Sequence, residues 1–189
     1  GDGTFGGTFA SGDFARGITA GGVTTGGLYA LDRGAGDTAL WIQPGGSDWT
    51  PGSFTLALVN SGAASASFQL GYDLLVLNDQ ARSNSLFVEV SADGSSWSRV
   101  SAFDYVSPEA ADGLGVQAFA RSGTVTLGTT IGTGATFYLR FAGDDVGGSG
   151  SRDEFGLDNI VVTTAAGGGT PEPAPGTLGI ADAAVVEGD

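Results

Sequence analysis

The chain has 189 residues, enough for one sizeable domain and a tail. Its formal charge is −14, from 21 acidic residues against 7 arginines, so it would repel a phosphate backbone and we expect no nucleic-acid partner. The lack of cysteine excludes disulfides and thiolate chemistry, and no apolar run is long enough to span a bilayer, so we expect no membrane insertion. Such acidity fits a calcium-rich extracellular setting, either secreted or at a cell surface.

Glycine residues separate the predicted strands of the chain. The 35 glycines separate short segments rich in aliphatic residues, Thr and Ser, and no long stretch repeats apolar residues with a helical period. The pattern predicts an all-β protein with about ten strands in two sheets. Alternation and turn residues predict strands over 4–9, 28–32, 38–42, 53–60, 66–76, 85–92, 96–103, 123–127, 135–142 and 157–163.

The three tryptophans are the first candidates for ligand contact along the chain. Trp41 lies in an apolar predicted strand and Trp97 in a predicted hairpin, so we expect both to pack in the core or on a sheet face. Trp49 follows Asp48 in a predicted loop, where a large ring has less reason to be buried. We expect Trp49 and Asp48 to contact a ligand, with the ring stacked on a sugar.

Asn78 and Asp79 follow the predicted strand 66–76. Polar side chains at this position could fix the hydroxyl groups of a bound sugar, so we assign them to ligand binding. Together with Asp73 they are also a second candidate calcium site.

The clearest predicted hairpin surrounds Asp93-Gly94, a pair that accepts the positive φ of a tight turn. One face of a half-buried strand must carry the apolar set. We therefore expect Leu86, Val88 and Val90 to point inward and Glu89 to lie on the solvated face.

A carboxylate-rich stretch, 143–162, joins a predicted glycine loop to the last predicted strand. Hard oxygen ligands favour Ca²⁺ over transition metals, and we expect nearby positive charge to come only from Arg152, Arg140 or a bound metal. The alternative is that the acids only solvate the loop. The candidate calcium ligands are Asp158, Glu154, Asp153, Asp144, Asp145 and Asp2.

The string Leu-Asp-Asn-Ile-Val-Val over 157–162 resembles the final-strand motif of secreted jelly-roll modules, including MAM-type domains, carbohydrate-binding modules and lead domains of secreted bacterial proteins. A looser similarity extends over 25–163. The resemblance implies an antiparallel β-sandwich of jelly-roll type, and a structural calcium held by Asp158 with Asp2, Asp13 or Glu154 as companions.

The composition changes after Thr164, so we expect the β-sandwich domain to span 1–164 and a Gly/Pro-rich linker to span 165–177. Residues 178–189 contain Ile-x-Asp-Ala-x-Val-x-Glu-Gly-Asp, which resembles the opening strand of a Calx-beta repeat. We expect this segment to be the first strand of a truncated module in a multidomain parent.

The chain has no His, Lys or Cys, the residues on which most nucleophilic mechanisms depend. The main remaining mechanism is that of a glycosidase, with a carboxylate pair such as Glu89 and Glu154. We therefore expect no enzyme. The expected function is a calcium-stabilised recognition or adhesion module of a larger bacterial surface or secreted protein, with a glycan or a cell-surface or matrix component as partner. Two alternatives remain: a self-associating subunit of a calcium-dependent array, filament or surface layer, and an accessory domain of a secreted nuclease or hydrolase.

Overall fold

A computed structural model describes residues 15–46 and 48–164, and the backbone of 179–186. Within these ranges the chain forms strands and one short 3-10 helix, Ser101–Phe103. The strands are β1 (Ala15–Thr19), β2 (Gly27–Gly34), β3 (Asp37–Gln43), β4 (Gly52–Val59), β5 (Ser65–Leu77), β6 (Arg82–Ser91), β7 (Ser98–Arg99), β8 (Tyr105–Val106), β9 (Gln117–Ile131), β10 (Thr136–Gly148), β11 (Glu154–Thr164) and β12 (Gly179–Val186). The described residues contain no helix that is long and apolar enough to cross a membrane.

The strands build two sheets. Sheet A has the order β1-β2-β3-β11-β5-β9, and sheet B has the order β12-β4-β10-β6-β7, with β8 also paired to β6. All pairs are antiparallel except β1 with β2. From β3 to β6 the chain changes sheet at every connection, and β9, β10 and β11 return in the same alternating way. This path is that of two Greek keys, so the expected antiparallel sandwich of jelly-roll type is confirmed.

The core lies between the two sheets, where strand alternation sends every second side chain. Leu86, Val88 and Val90 are at most 2% exposed, as the hairpin pattern predicts. Phe137 of β10 stacks on Phe68 of β5 across the sandwich, with ring centroids 4.3 Å apart. Burial of such side chains contributes about 1.5–3 kcal/mol each, and this apolar layer holds the outer faces of the sheets in position.

The predicted Asp93-Gly94 turn is also confirmed. Gly94 has φ of 75°, and the Asp93 carboxylate accepts hydrogen bonds from the Ser95 and Ser96 N–H groups, both at 2.7 Å. These bonds, that from Ser96 first, hold the pKa of Asp93 well below its usual range. The turn therefore fixes the β6–β7 register locally.

The predicted strand 96–103 is wrong beyond Arg99. Only Ser98–Arg99 pairs with β6, and the chain then turns through the 3-10 helix, which places Phe103 in the core at 1% exposure. Burial of this ring outweighs the alternation that predicts a continuing strand. The predicted strand 4–9 lies outside the described residues.

The carboxylate-rich stretch also differs from its prediction. β10 continues to Gly148, because Asp144 and Asp145 pair in register with Ser85 and Asn84 of β6. The two acids are therefore strand residues, and not members of a glycine loop. The last strand, β11, begins at Glu154 and ends at Thr164.

The structure describes the backbone of part of the segment that follows the predicted linker. Gly179–Val186 pairs antiparallel with β4 and forms an edge of sheet B. The division into a 1–164 domain, a linker and a further module stays a prediction.

Candidate functional site

The outer face of sheet B carries a groove of about 540 Å³. Since Val88 and Val90 fill the core, strand alternation turns Phe87 and Glu89 of β6 outward. Arg140 of β10 faces outward for the same reason. We call this feature the outer groove; its lining includes Ser53, Ser85, Phe87, Glu89, Arg99 and Arg140.

Side chains of opposite charge form a row of ion pairs across the outer groove. Arg140 lies in register with Glu89, donates from Nε to Glu89 Oε2 at 2.8 Å and places Nη2 2.6 Å from the same oxygen. Arg99 lies opposite Glu89 on β7 and donates from Nε to Asp104 Oδ1 at 2.9 Å. Each charge in the row is therefore compensated, and the side chains are held in fixed orientations.

Aromatic rings hold the same arginines. The Arg99 guanidinium carbon lies 3.9 Å from the ring centroid of Phe87, and that of Arg140 lies 3.9 Å from the ring centroid of Trp97. Trp97 also meets Tyr138 edge-on at 6.5 Å, so its predicted sheet-face packing is confirmed. Such cation–π contacts are worth about 0.5–1 kcal/mol at exposed sites and restrict the guanidinium planes.

The expected exposure of Trp49 is wrong. Its ring is 4% exposed and belongs to the main core, because Gly143 and Gly52 leave space for it; a Cβ on Gly143 would lie only 2.6 Å from the indole Nε1. Asp48 is half-buried, with its carboxylate against Gly45. Trp49 therefore supports the end of the outer groove from beneath and does not offer a ring face to a ligand. The predicted core position of Trp41 is confirmed, at 0% exposure.

Phe87, Arg99 and Arg140 were missed as candidate site residues by sequence reasoning. Their signal is the alternation that correctly turns Val88 inward, because the same alternation turns Phe87 outward. The sequence does not show that β6 and β10 are paired strands, and it is this pairing that places Arg140 next to Glu89.

Asp145 is enclosed by arginines. Arg152 donates to it from Nε at 2.6 Å and from Nη2 at 2.7 Å, and Arg82 donates from Nη1 at 2.8 Å. Burial raises its pKa, but the bonds and charges of Arg152 and Arg82 outweigh burial and hold the pKa below its ordinary value. Its two oxygens thus face guanidinium groups, while the exposed Asp144 lines the outer groove.

Asp158, the leading predicted calcium ligand, faces outward on sheet A. Its Oδ2 pairs with Arg33 Nη1, and its Oδ1 accepts from the Asn159 N–H at 2.8 Å. Asn159 Nδ2 in turn donates to Asp73 Oδ2 at 2.8 Å. A guanidinium group therefore stands beside Asp158 where the sequence predicts calcium. The expected companions Asp2 and Asp13 lie outside the described residues.

A second feature lies where β5 ends and β11 begins. Leu77 pairs with Glu154 in register, which brings Asn78 close to Asp153. Asp153 is fully buried, Glu154 is 1% exposed and Asn78 is 3% exposed. Two stretches that the sequence proposes separately, 78–79 and 153–154, thus meet at one place. We call Asn78, Asp79, Asp153 and Glu154 the buried acid cluster.

Hydrogen bonds satisfy only one side of the buried acid cluster. Glu154 Oε2 accepts from Trp41 Nε1 at 2.7 Å and from the Gly22 N–H at 3.0 Å, and Asp153 Oδ1 accepts from the Gln80 N–H at 3.0 Å. Among the residues that the structure describes, none gives a hydrogen bond to four buried oxygens: Asn78 Oδ1, Asp79 Oδ1, Asp153 Oδ2 and Glu154 Oε1.

The environment of these carboxyl groups disfavours their charge. Burial raises the pKa of Glu154 to about 7, although the hydrogen bonds from Trp41 and Gly22 act in the opposite direction. Burial also raises the pKa of Asp153, against the Ser107 hydroxyl and the Gln80 N–H, and the charge of Asp79 raises both values further. The cluster therefore favours a proton or a cation.

Calcium, which the resemblance implies, fits part of this arrangement. The unpartnered atoms are hard oxygen donors, as Ca²⁺ prefers. Within 15–46 and 48–164, however, no three side chains of His, Cys, Asp or Glu converge as a complete metal centre. Amide and backbone oxygens would have to complete the coordination.

The carboxylate pair that the sequence suggests as an example of a catalytic pair, Glu89 with Glu154, is separated by the fold. Glu89 lies on the outer face of sheet B, bonded to Arg140, whereas Glu154 is buried on sheet A against Trp41. A glycosidase pair needs carboxyl groups about 5–9.5 Å apart on either side of one bond, and two side chains on the far faces of stacked sheets cannot meet this.

Comparison with known proteins gives few matches. No protein family matches the sequence, and no curated protein does. Among solved structures, the chain is similar to the enzymatically active domain of tailspike protein 4 of bacteriophage CBA120, with 11% identity and a TM-score of 0.40 over 74% of this chain and 18% of that one. It is also similar to a CBM4 structure, with 18% identity and a TM-score of 0.35 over 77% of this chain and 83% of that one. The chain thus spans less than a fifth of the tailspike domain.

Proposed function

We propose that the chain is a non-catalytic glycan-binding module of a larger extracellular bacterial protein, and that the outer groove is its binding site. The observation that carries the proposal is the combination, on one sheet face, of the Phe87 ring with the fixed polar row of Arg140, Glu89 and Arg99. A sugar ring presents an apolar C–H face to an aromatic ring and hydroxyl groups to charged hydrogen-bonding side chains.

The charge arrangement favours a sugar over a strongly charged ligand. Arg140 is neutralised by Glu89 and Arg99 by Asp104, so the row offers donors and acceptors without a large net field. Arg99 bonds Asp104 only through Nε among the contacts of the described residues, which leaves its terminal amino groups for a ligand. Side chains that are already fixed lose little entropy on binding.

Two features support a role without catalysis. The chain has no His, Lys or Cys, and Glu89 of the outer groove is engaged in an ion pair with Arg140. The fold also separates Glu89 from Glu154, the carboxylate pair that the sequence suggests for glycoside hydrolysis.

The proposal is tested by glycan-array screening of the full chain, followed by titration calorimetry with the best ligand. We expect Phe87→Ala to weaken binding about tenfold or more, since it removes both the aromatic surface of the outer groove and the ring that holds Arg99. Phe119→Ala is the matched control, because Phe119 is a part-exposed aromatic residue of sheet A, packed against Tyr105. Failure to retain any glycan, or equal affinity of Phe87→Ala and wild type, would overturn the proposal.

A structural role through self-association is the second candidate, favoured by β9. This edge strand is 15 residues long, carries Arg121 as its single charge, and pairs with β5 alone among the described strands. Long edges without charge or proline can add a strand from a second copy. Sedimentation of the full chain would detect such pairing, and a monomer at high concentration would exclude it.

A further inference from the structure

The buried acid cluster lies where three segments meet. The end of β5 supplies Asn78 and Asp79, and the residue before β11 is Asp153. The loop after β8 closes over them, because Asn78 Nδ2 donates to the Ala110 carbonyl and the Asp112 N–H donates to the Asn78 carbonyl, both at 3.0 Å. These two contacts fix the position of Asn78, which lies next to Asp79 in sequence and close to the fully buried Asp153.

This enclosure leaves negative charge without a positive partner. The ion pairs of the described residues include none to Asp79, Asp153 or Glu154. Arg152 is adjacent to Asp153 in sequence, but its guanidinium group is bonded to Asp145. A buried and unpaired carboxylate costs several kcal/mol unless it is neutralised.

The unpartnered oxygens define the chemistry of a ligand that would fit the buried acid cluster. Because Asn78 Nδ2 donates to Ala110, its Oδ1 is left as an acceptor, and no described residue donates to it. Asp79 Oδ1 and Asp153 Oδ2 are likewise buried acceptors, and Asp153 is fully buried. Two carboxylates and an amide oxygen, all hard donors, match a hard divalent cation and offer nothing to a soft one.

We propose that Asn78, Asp79 and Asp153 form a calcium site that closes this end of the sandwich. Backbone carbonyls and water complete the six to eight oxygens that Ca²⁺ takes. Calcium is favoured over Mg²⁺, because the donors come from two separate segments of irregular backbone and Mg²⁺ demands a nearly ideal octahedron. The site differs from the Asp158 site that the resemblance implies, and it stands independently of glycan binding.

The test is calcium titration of the full chain after dialysis against chelator, followed by calorimetry and thermal unfolding. We expect one bound Ca²⁺ and a rise in melting temperature of about 5–10 °C when calcium exceeds its dissociation constant a hundredfold. Mg²⁺ at the same concentration should raise it much less. Absence of calcium binding by the wild type would overturn the proposal.

Two variants separate this site from a purely structural effect. Asp153→Asn and Asp79→Asn keep the shape of the side chain and remove a charge, so we expect both to abolish calcium binding. Without calcium, Asp153→Asn should be at least as stable as the wild type, because it removes an unpaired buried charge. This outcome shows that the variant folds.

Asp158→Asn is the matched control, because it removes a carboxylate that is bonded to Arg33. It should retain calcium binding with unchanged affinity. Loss of binding in Asp158→Asn but not in Asp153→Asn would overturn the proposal and restore the site that the resemblance implies. Unchanged binding in Asp79→Asn and Asp153→Asn would overturn it as well.

Discussion

The outer groove and the buried acid cluster use the same residue types in opposite ways. In the groove, the partly exposed Glu89 faces Arg140, and Arg99 faces Asp104. In the cluster, Asp153 is fully buried, and no ion pair among the described residues involves it. A paired and accessible charge can exchange partners with a ligand at small cost, whereas an unpaired buried charge needs a permanent counter-ion or a proton. We therefore propose recognition for the first arrangement and stability for the second.

The largest expected effect concerns the support beneath the outer groove. Trp49→Ala should lower the free energy of unfolding by about 3–5 kcal/mol, because it empties a core position between Gly52 and Gly143. Denaturant unfolding measures this loss. Trp97→Ala, which removes a part-exposed ring on the sheet face, should cost clearly less. A Trp49→Ala protein of wild-type stability that fails to bind glycan would make Trp49 a ligand contact.

The second-largest expected effect on stability concerns Asp145, which is paired with arginines, unlike the carboxylates of the buried acid cluster. The pKa of Asp145 is held below its ordinary value although burial opposes this, because Arg152 and Arg82 donate to it. A carboxyl group with a lowered folded-state pKa adds stability above its unfolded pKa of about 3.9, and loses it as the pH falls through the folded value. Asp145→Asn should therefore be less stable than wild type at neutral pH by about 1–2 kcal/mol.

The gap in the free energy of unfolding between Asp145→Asn and wild type should narrow as the pH falls below the unfolded pKa of about 3.9 and through the lower folded pKa of Asp145, because the wild-type carboxyl group then becomes protonated as well. Unfolding monitored across this range measures the gap. Asp37→Asn is the control, because the Asp37 side chain is 57% exposed and its removal should change stability little. A gap that widens on acidification would contradict the ion-pair interpretation of Asp145.

The sequence predicts structural features that depend on neighbouring residues better than features that depend on contacts between distant residues. The Asp93-Gly94 turn and the inward set of Leu86, Val88 and Val90 depend on neighbours in the chain, and both are confirmed. Alternation and turn spacing also predict an all-β fold of two sheets, and the resemblance at 157–162 implies its jelly-roll type.

The site residues depend on sequence-distant pairing, which no local pattern contains. Arg33 and Asp158 are 125 residues apart, so the guanidinium group beside Asp158 is invisible in the sequence. Trp49 is buried because glycines on β4 and β10 make room for it, a condition set by the pairing of two distant strands. The nearness of Asn78 to Asp153 likewise requires the β5–β11 register.

The smallest expected effect on stability is also the sharpest test of the outer groove. Glu89→Gln removes a partly exposed ion pair with Arg140, so the free energy of unfolding should change by only about 0.5–1 kcal/mol. Glycan affinity should nevertheless fall about tenfold, because Arg140 loses the partner that orients it and the row loses its central acceptor. Asp158→Asn breaks a comparable pair with Arg33 on the other sheet and should leave affinity unchanged. If Glu89→Gln instead destabilises the fold by several kcal/mol and binds as wild type, the row across sheet B is a structural element, and recognition must lie elsewhere.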